Sequence, residues 1–459
     1  MRTNAVLQDT VSERERRNQA LAFELAAESI VLLENDGALP LQPCTAALFG
    51  AGAAYTIQGG SGSGEVNVRH AVNVLEGLEN AGFTVTTKDW ITKYDRLWKE
   101  GKEAYIRAFR KKLLRFNVDL TTELMTAEYR YPSGGLITEE EIYNSDTDTC
   151  IYVVSRQSGE GYDRKDEAGS FRMTDTEIEN IRICADAYAR FILVLNAGAV
   201  LDLSPLAEIS GINALVYMNQ LGMEGGNALA AVLTGSRVPY GKLAVTWARR
   251  YADYPFTDTF GHREHTRYKE GIYVGYRWFD SFLKKPLYPF GYGLGYTQFK
   301  LETTDVSAEK DMVRVSVNVT NTGETYKGKE VVQVYVSCPQ DDEAKEYQRL
   351  AAFAKTKELA PGESEELVLC FPLSGLSSYS EEKAETYLEA GAYIVRVGTS
   401  SKETTPAAKL VSAKRIVLSR HRNLCVRKHR YVNCIKTRSH RKTYRIRYRL
   451  FRSIRILKR

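Results

Sequence analysis

Residues 150–176 read CIYVVSRQSGEGYDRKDEAGSFRMTDT and predict a strand, a bare loop and a helix in succession. Cys150 to Val154 is an apolar, β-branched run of strand length. It breaks into SRQSGEGYDR, where Glu160 stands between two glycines that let a backbone approach a ligand with no side chain in the way. Asp163 and Arg164 add an acceptor and a planar cationic fork. Order resumes at Thr174, whose TDTE is a capping box with Thr174 as N-cap and Glu177 as its reciprocal partner. A loop that leaves the carboxyl end of a strand and enters a helix belongs to the edge of an open α/β sheet where ligands bind.

Outward from this stretch the pattern repeats. A helix is expected over residues 10–34, stopped by Asn35-Asp36-Gly37, then a strand at Ala46 to Phe49 that runs into GAGAAYTIQGGSGSGEV at 50–66. That Gly/Ser loop has neither a Walker lysine nor the spacing of a dinucleotide fingerprint, so it reads as a flexible turn leading to a helix at about 71–81. Further strands are expected at Gly82 to Thr86, Phe191 to Leu195, Ala214 to Met218 and Leu243 to Thr246, with helices at about 175–188 and 224–234. The polar, largely helical segment 91–145 is an insertion. Continuous apolar strands alternating with helices make a three-layer α/β/α sandwich with a mostly parallel sheet over residues 1–300. Its crossovers are right-handed, which gathers the 50–66 and 155–170 loops on one edge. From about 301 to 400 the texture becomes period-2 alternation, VRVSVNVTNTG, KEVVQVYVS, SEELVLCF and AGAYIVRVG, an all-β sandwich.

The net charge of +6 conceals two regions. Residues 409–459 hold 19 of the 63 Lys and Arg and none of the 57 Asp and Glu, leaving 44 basic against 57 acidic residues in the body. An acidic body suits a neutral ligand better than a polyanion. The basic tail reads as disordered, since it cannot bury a core alone. Three readings compete for it: non-specific phosphate or anion contacts, a zinc site at His421, Cys425, His429 and Cys434 with non-standard spacing, or an abnormal C-terminus from a shifted reading frame, the one preferred here. Seven scattered cysteines without CxxC read as reduced thiols. With no apolar leader and no run of about 20 apolar residues, a cytoplasmic, non-membrane protein is expected. His262 and His265 form H-x-x-H without further ligand spacing, and no metal or cofactor is expected. The aromatic stretches YKEGIYVGYRWFD and LYPFGYGLGYTQF would serve equally to stack a sugar or to join two domains.

SGEGYDR after a strand resembles the acid/base loop of glycoside hydrolase family 3, the β-glucosidase and β-xylosidase family. RRNQALAFELAAESIVLLENDGALPL with GGSGSG, YKEGIYVGYRWFD with YPFGYGLGYTQF, and NTG, GKEVVQVYVS and LAPGES resemble that family's α/β domain and its fibronectin type III-like domain. The resemblance implies a retaining β-glucosidase with Glu160 as acid/base. Ser61, Ser63, Asp163 and Arg164 would border the substrate, a β-linked oligosaccharide or aryl glycoside. It also implies that the nucleophile lies on a (β/α)8 barrel for which this chain has no counterpart. Asp89, in Lys88-Asp89-Trp90, superficially matches the nucleophile motif but follows an edge-like strand with nothing barrel-like around it. Two function classes follow: a β-glycosidase that needs a barrel-bearing partner chain, or a non-catalytic remnant or sugar-binding module with an anion-binding tail.

Overall fold

The computed structural model describes residues 9–61, 64, 66–114, 129–158, 164–259, 268–340, 344–420 and 454–457. The chain forms two units, one built from residues 1–269, 285–298 and 324–328, the other from 270–284, 299–323 and 329–459.

The first unit is organised on a six-stranded sheet of β1 (Val31–Asn35), β2 (Thr45–Phe49), β3 (Thr84–Val85), β4 (Thr149–Arg156), β5 (Arg190–Ala197) and β6 (Ala214–Tyr217). Its order is β1-β6-β5-β4-β2-β3, parallel throughout except for the antiparallel edge strand β1. All eight residues of β4 and seven of the eight in β5 are buried, because helices cover both faces of the sheet's centre. One group of helices is α1 (Glu13–Ser29), α2 (Val74–Asn80) and α6 (Gly225–Leu233), with α1 and α2 each packed on α6. The other is α3 (Lys88–Leu113), α4 (Glu139–Ser145) and α5 (Asp175–Ala187). Thr174 caps α5 as expected, its hydroxyl accepting from the Glu177 N–H at 3.2 Å while Glu177 accepts from the Thr174 N–H at 2.8 Å.

Two expected elements differ. The first helix stops at Ser29, and Leu32 and Leu33 belong to β1: Ile30 is already extended (φ −67°, ψ 132°), and Val31, Leu32 and Leu33 are all buried, which one face of a helix could not achieve. Leu243 to Thr246 forms no strand of the sheet. Its backbone pairs instead with the 285–298 segment, Leu243 N–H donating to Tyr292 O at 2.8 Å and Trp247 N–H to Tyr288 O at 2.9 Å. That segment also covers the free edge of β1, where Leu294 N–H donates to Leu32 O at 2.8 Å.

Helix α1 carries a pH-dependent element. The Ser12 backbone N–H and then the Arg69 guanidinium, 2.9 Å away, hold the Glu15 carboxyl down at about 2 from an ordinary 4.5. A carboxyl whose pKa is depressed by folding stabilises the fold above its unfolded value and loses that contribution as pH falls through its folded value. The first turn of α1 is therefore expected to keep its amide-exchange protection at pH 5 and to lose it progressively from about 4.5 to about 2. Equal protection at both ends of that range would contradict the capping role of Glu15.

The second unit is an all-β sandwich. One sheet has the order β11-β8-β7, with β7 Phe299–Glu309, β8 Met312–Asn321 and β11 Ser364–Pro372. The other runs β10-β9-β14-β15, with β9 Val331–Ser337, β10 Arg349–Lys355, β14 Gly391–Gly398 and β15 Thr404–Ser412, and residues 454–457 pair beside β15. A small sheet of β12 (Ser378–Ser380), β13 (Glu385–Leu388) and β16 (Ile416–Arg420) completes it. Period-2 alternation fills the core: Val313, Val315, Val317 and Val319 of β8 face Val332, Val334 and Val336 of β9 in one cluster.

Strand structure continues past residue 400 into the stretch expected to be a basic tail, since Leu410 and Ile416 are buried in the sandwich core. High charge masked their alternation. Residues 421–453, with the spaced His and Cys, lie outside the described residues. Residues 270–284, expected in the α/β domain, group with the sandwich. There Tyr276 accepts from Leu350 N–H at 2.9 Å, and buried Asp280 binds Lys402 at 2.7 Å and Gln348 at 2.9 Å.

Candidate active site

The strand order of the first unit reverses at β2. From β2 the chain moves outward to β3, then returns to the other side of β2 for β4 and continues through β5 to β6. A parallel sheet opens a crevice at the carboxyl ends of the two strands flanking such a reversal, because the loops that follow them lead away in opposite directions. Here those strands are β2 and β4. The loops that leave them are the Gly/Ser loop from residue 50 and the loop from residue 157.

The two loops are tied together. Gly50 turns the chain at φ +91°, where a Cβ would stand 2.4 Å from Val153 O. Gly52 N–H then donates to that same carbonyl at 3.1 Å, so the loop folds across the end of β4. Ser61 N–H donates to Ser158 O at 3.0 Å, joining the two loops two residues before Glu160 in the chain. Asn196, wholly buried near the end of β5, fixes the middle of the first loop. Its Oδ1 accepts from Ile57 N–H at 2.6 Å, and its Nδ2 donates to Ile57 O at 3.0 Å and to Asn219 O at 2.7 Å. One side chain thus links the loops after β2 and β6 to β5. Gly222 N–H adds a bond to Gln58 O at 2.9 Å.

Arg156, the last residue of β4, closes the base of the second loop. Its guanidinium forms a two-pronged pair with Glu177 at 2.6 and 2.5 Å, and donates to Ser155 O at 2.8 Å, Ser170 O at 3.2 Å and Arg172 O at 3.3 Å. Both ends of the loop are therefore held by one buried cation. Beyond it, Arg172 forms a fork with Asp166 at 2.6 and 2.5 Å, and Arg130 reaches Glu167 at 2.5 Å.

Of the residues singled out from sequence, Ser61 lies at the junction of the loops, and Arg164 is near enough for its charge to act on Tyr217, the last residue of β6. Burial pushes the Tyr217 phenol up to about 12, with the Arg164 charge pulling the other way. Glu160, Ser63 and Asp163 lie outside the described residues, as do His262 and His265. Asp89 sits in the first turn of α3, next to Trp90, whose ring meets Phe49 of β2 edge-on at 5.5 Å. The aromatic segment 285–298 is structural: Tyr288 donates to Glu34, Tyr292 to Leu33 O at 3.1 Å and Tyr296 to Val232 O at 2.7 Å. Sequence reasoning missed Arg156 and Asn196. A charged or amide residue ending a run of otherwise apolar strand, as in VVSR and LVLN, was the available signal.

Comparison with known proteins follows the same division. Residues 30–296 match the glycosyl hydrolase family 3 C-terminal domain and residues 330–401 the fibronectin type III-like domain. The chain is 34% identical to beta-glucosidase A of Butyrivibrio fibrisolvens, covering 84% of this chain and 50% of that protein. It is 33% identical to a beta-glucosidase of Ruminococcus albus, covering 83% and 40%. Among solved structures, a beta-glucosidase from Paenibacillus barengoltzii superposes with a TM-score of 0.78 at 32% identity, over 87% of this chain and 44% of that one. Beta-glucosidase 3B from Thermotoga neapolitana in complex with α-D-glucose gives 0.72 at 35%, over 88% and 55%. The chain spans about half the length of these relatives. Among the described residues, no helix is long and apolar enough to cross a membrane.

Proposed function

The chain belongs to glycosyl hydrolase family 3, and on that premise we propose that it supplies the acid/base half of a retaining β-glucosidase, with Glu160 as the acid/base residue. The observation that carries the reading is the bond from Ser61 N–H to Ser158 O at the reversal of strand order. It gathers at one crevice the Gly/Ser loop and the strand end from which SGEGYDR departs, the two stretches that resemble the family's motifs.

The chemistry follows from the reaction. Retaining hydrolysis uses two carboxyl groups roughly 5–5.5 Å apart, one attacking the anomeric carbon and one protonating the departing oxygen. Glu160 would give its proton to the leaving glycosidic oxygen and then take one from the water that releases the glucosyl group. Such a residue works best with its pKa raised toward neutrality, which a closed, dry site provides. Ser61, Ser63, Asp163 and Arg164 would contact the leaving group of a β-linked oligosaccharide or aryl glucoside. On this reading the nucleophile would come from a (β/α)8 barrel outside the residues described here. A barrel-bearing partner chain would complete the enzyme.

The alternative reading is a sugar-binding module without catalysis. Purified chain, assayed on an aryl β-glucoside beside Glu160→Gln, is expected to show no turnover above background in either form. Turnover that falls in the variant would mean that the chain holds its own nucleophile, and the account of an incomplete enzyme would be wrong.

A further inference from the structure

We propose that Asn196 is a positioning residue of the proposed glycosidase: it sets the Gly/Ser loop on the strand ends, and with it the place of Ser61 beside the end of β4. The proposal takes from the reading above that these loops border the substrate, and its geometry is independent of Glu160.

Asn196 is the seventh residue of β5, RFILVLNA, in a run that is otherwise apolar from Phe191 to Ala197. A leucine there would continue the run without the cost of burying an amide. The amide is instead wholly buried with every bonding position filled. Oδ1 accepts from Ile57 N–H at 2.6 Å and from the Ser155 hydroxyl at 3.2 Å, while Nδ2 donates to Ile57 O at 3.0 Å and to Asn219 O at 2.7 Å. Three of the four bonds go to loops and the fourth to the end of β4. Such an amide has one orientation only, since turning it over would set Nδ2 against the Ile57 N–H and Oδ1 against two carbonyls.

The grip on Ile57 fixes direction as well as distance, because both its N–H and its C=O are held. Before Ile57 the loop is anchored on the helix side. Val74 N–H donates to the Thr56 hydroxyl oxygen at 2.8 Å, that hydroxyl donates to Gly52 O at 2.8 Å, and Asn73 Nδ2 donates to Ala54 O at 3.2 Å. Gly52 lets the loop come down on Ser155, whose Oγ would lie 2.4 Å from a Cβ at that position. After Ile57 the ties are single backbone bonds, Gly222 N–H to Gln58 O at 2.9 Å and Ser61 N–H to Ser158 O at 3.0 Å. Ile57 is therefore the last firmly held point before Ser61.

Asn219 supports the arrangement from behind. It has the left-handed φ of +57°, which asparagine tolerates better than most residues with a Cβ, and its carbonyl receives Asn196 Nδ2. Its own Nδ2 donates at 3.0 Å to the carbonyl of Ser29, the last residue of α1. None of the groups bonded to Asn196 is charged, and Arg156, next to Ser155, is engaged with Glu177.

The test is Asn196→Asp in the full chain, followed by amide hydrogen exchange. The variant keeps the shape of the side chain and both acceptor positions, but turns the donor group into a carboxylate oxygen facing Ile57 O and Asn219 O. At pH 8 the amides of Ile57 and Ser61 are expected to exchange about tenfold faster than in the parent at the same pH. Burial raises the pKa of such a carboxyl, and once protonated it donates to one of the two carbonyls, so at pH 5 the ratio should fall to about threefold. Should Asn196→Asp not fold, Ser155→Ala, which removes one of the four bonds, is expected to speed the same amides about threefold at both pH values. In a fusion of residues 1–420 to the complementary half of the Butyrivibrio beta-glucosidase A, Asn196→Asp should hydrolyse an aryl β-glucoside about 100-fold more slowly than the unmutated fusion at pH 8 and about tenfold more slowly at pH 5. Exchange equal to the parent's in both variants, or faster exchange with unchanged hydrolysis, would overturn the positioning role. Slower hydrolysis in Asn196→Asp with none of that loss in Glu160→Gln would support the positioning role while removing the acid/base reading. A loss in Glu160→Gln alone would do the reverse.

Discussion

Arg156→Met is expected to destabilise the first unit by about 3–5 kcal/mol, the usual cost of removing one partner from a buried, hydrogen-bonded ion pair. Arg156 and Glu177 side chains are only 6% and 4% exposed. Without the guanidinium, the Glu177 carboxylate stays buried with only the Thr174 N–H at 2.8 Å and hydroxyl at 3.1 Å to solvate it, Ser170 O loses the Arg156 donor, and Arg172 O keeps only the Gly169 N–H at 3.0 Å. The double replacement Arg156→Met with Glu177→Leu should recover much of the loss, since an apolar pair carries no desolvation penalty. It should not recover all of it, because Glu177 also closes the capping box of α5, worth about 1 kcal/mol. Urea unfolding of the first unit measures both. A single-variant loss below about 1 kcal/mol would show that water or a neighbouring group replaces the guanidinium, and that the loop base does not depend on it.

That pair also marks where sequence reasoning stops. Glu177 was legible as a capping partner, because the motif is local and spans three residues. Its second role depends on Arg156, 21 residues away, and no spacing rule connects them. Asn196 and Ile57 are 139 residues apart, and their contact exists only because β5 and the loop after β2 end on the same edge of the sheet. The edge itself was legible, since right-handed crossovers place every loop that follows a parallel strand on one side. The reversal at β2 was not, because it requires the strand order, and alternating helices and strands fit several orders.

The secondary-structure elements divide along the same line. β4 and β5 announce themselves as continuous apolar runs because both of their faces are covered. Leu32 and Leu33 were assigned to a helix because a short apolar run following an amphipathic one fits either period, and only burial of three consecutive residues separates them. Leu243 to Thr246 has strand composition but its backbone bonds go to the 285–298 segment, a choice made by tertiary structure and not by propensity. In the sandwich, Leu410 and Ile416 were hidden by the surrounding cations, since composition averages over a window while burial is decided residue by residue.

Glu160→Gln is expected to have the largest effect on catalysis, and it is measurable in a fusion that adds the half of a relative this chain does not span. A fusion of residues 1–420, which keeps β15 and β16 whole, to the complementary half of the Butyrivibrio beta-glucosidase A would give a chain of that relative's length. General acid/base catalysis contributes roughly 10²–10⁴-fold, so kcat should fall by that range in the variant. The two steps should suffer unequally. An aryl glucoside with an acidic phenol departs with little help from a proton, whereas release of the glucosyl group by water needs the base. The variant should therefore accumulate the glucosyl enzyme, giving a burst of phenol and a lowered KM along with the lowered kcat. Azide, which attacks the anomeric carbon as an anion and needs no base, should restore turnover and yield a β-glucosyl azide. The pH profile adds an independent mark: the alkaline limb of kcat/KM, which reports the protonated acid in the free enzyme, should flatten. A loss under tenfold, with no azide product and an unchanged alkaline limb, would remove Glu160 from the reaction. The acid would then have to come from another carboxyl on the same edge of the sheet, with Asp166 and Glu167, both already paired with arginines, the nearest in the chain among the described residues.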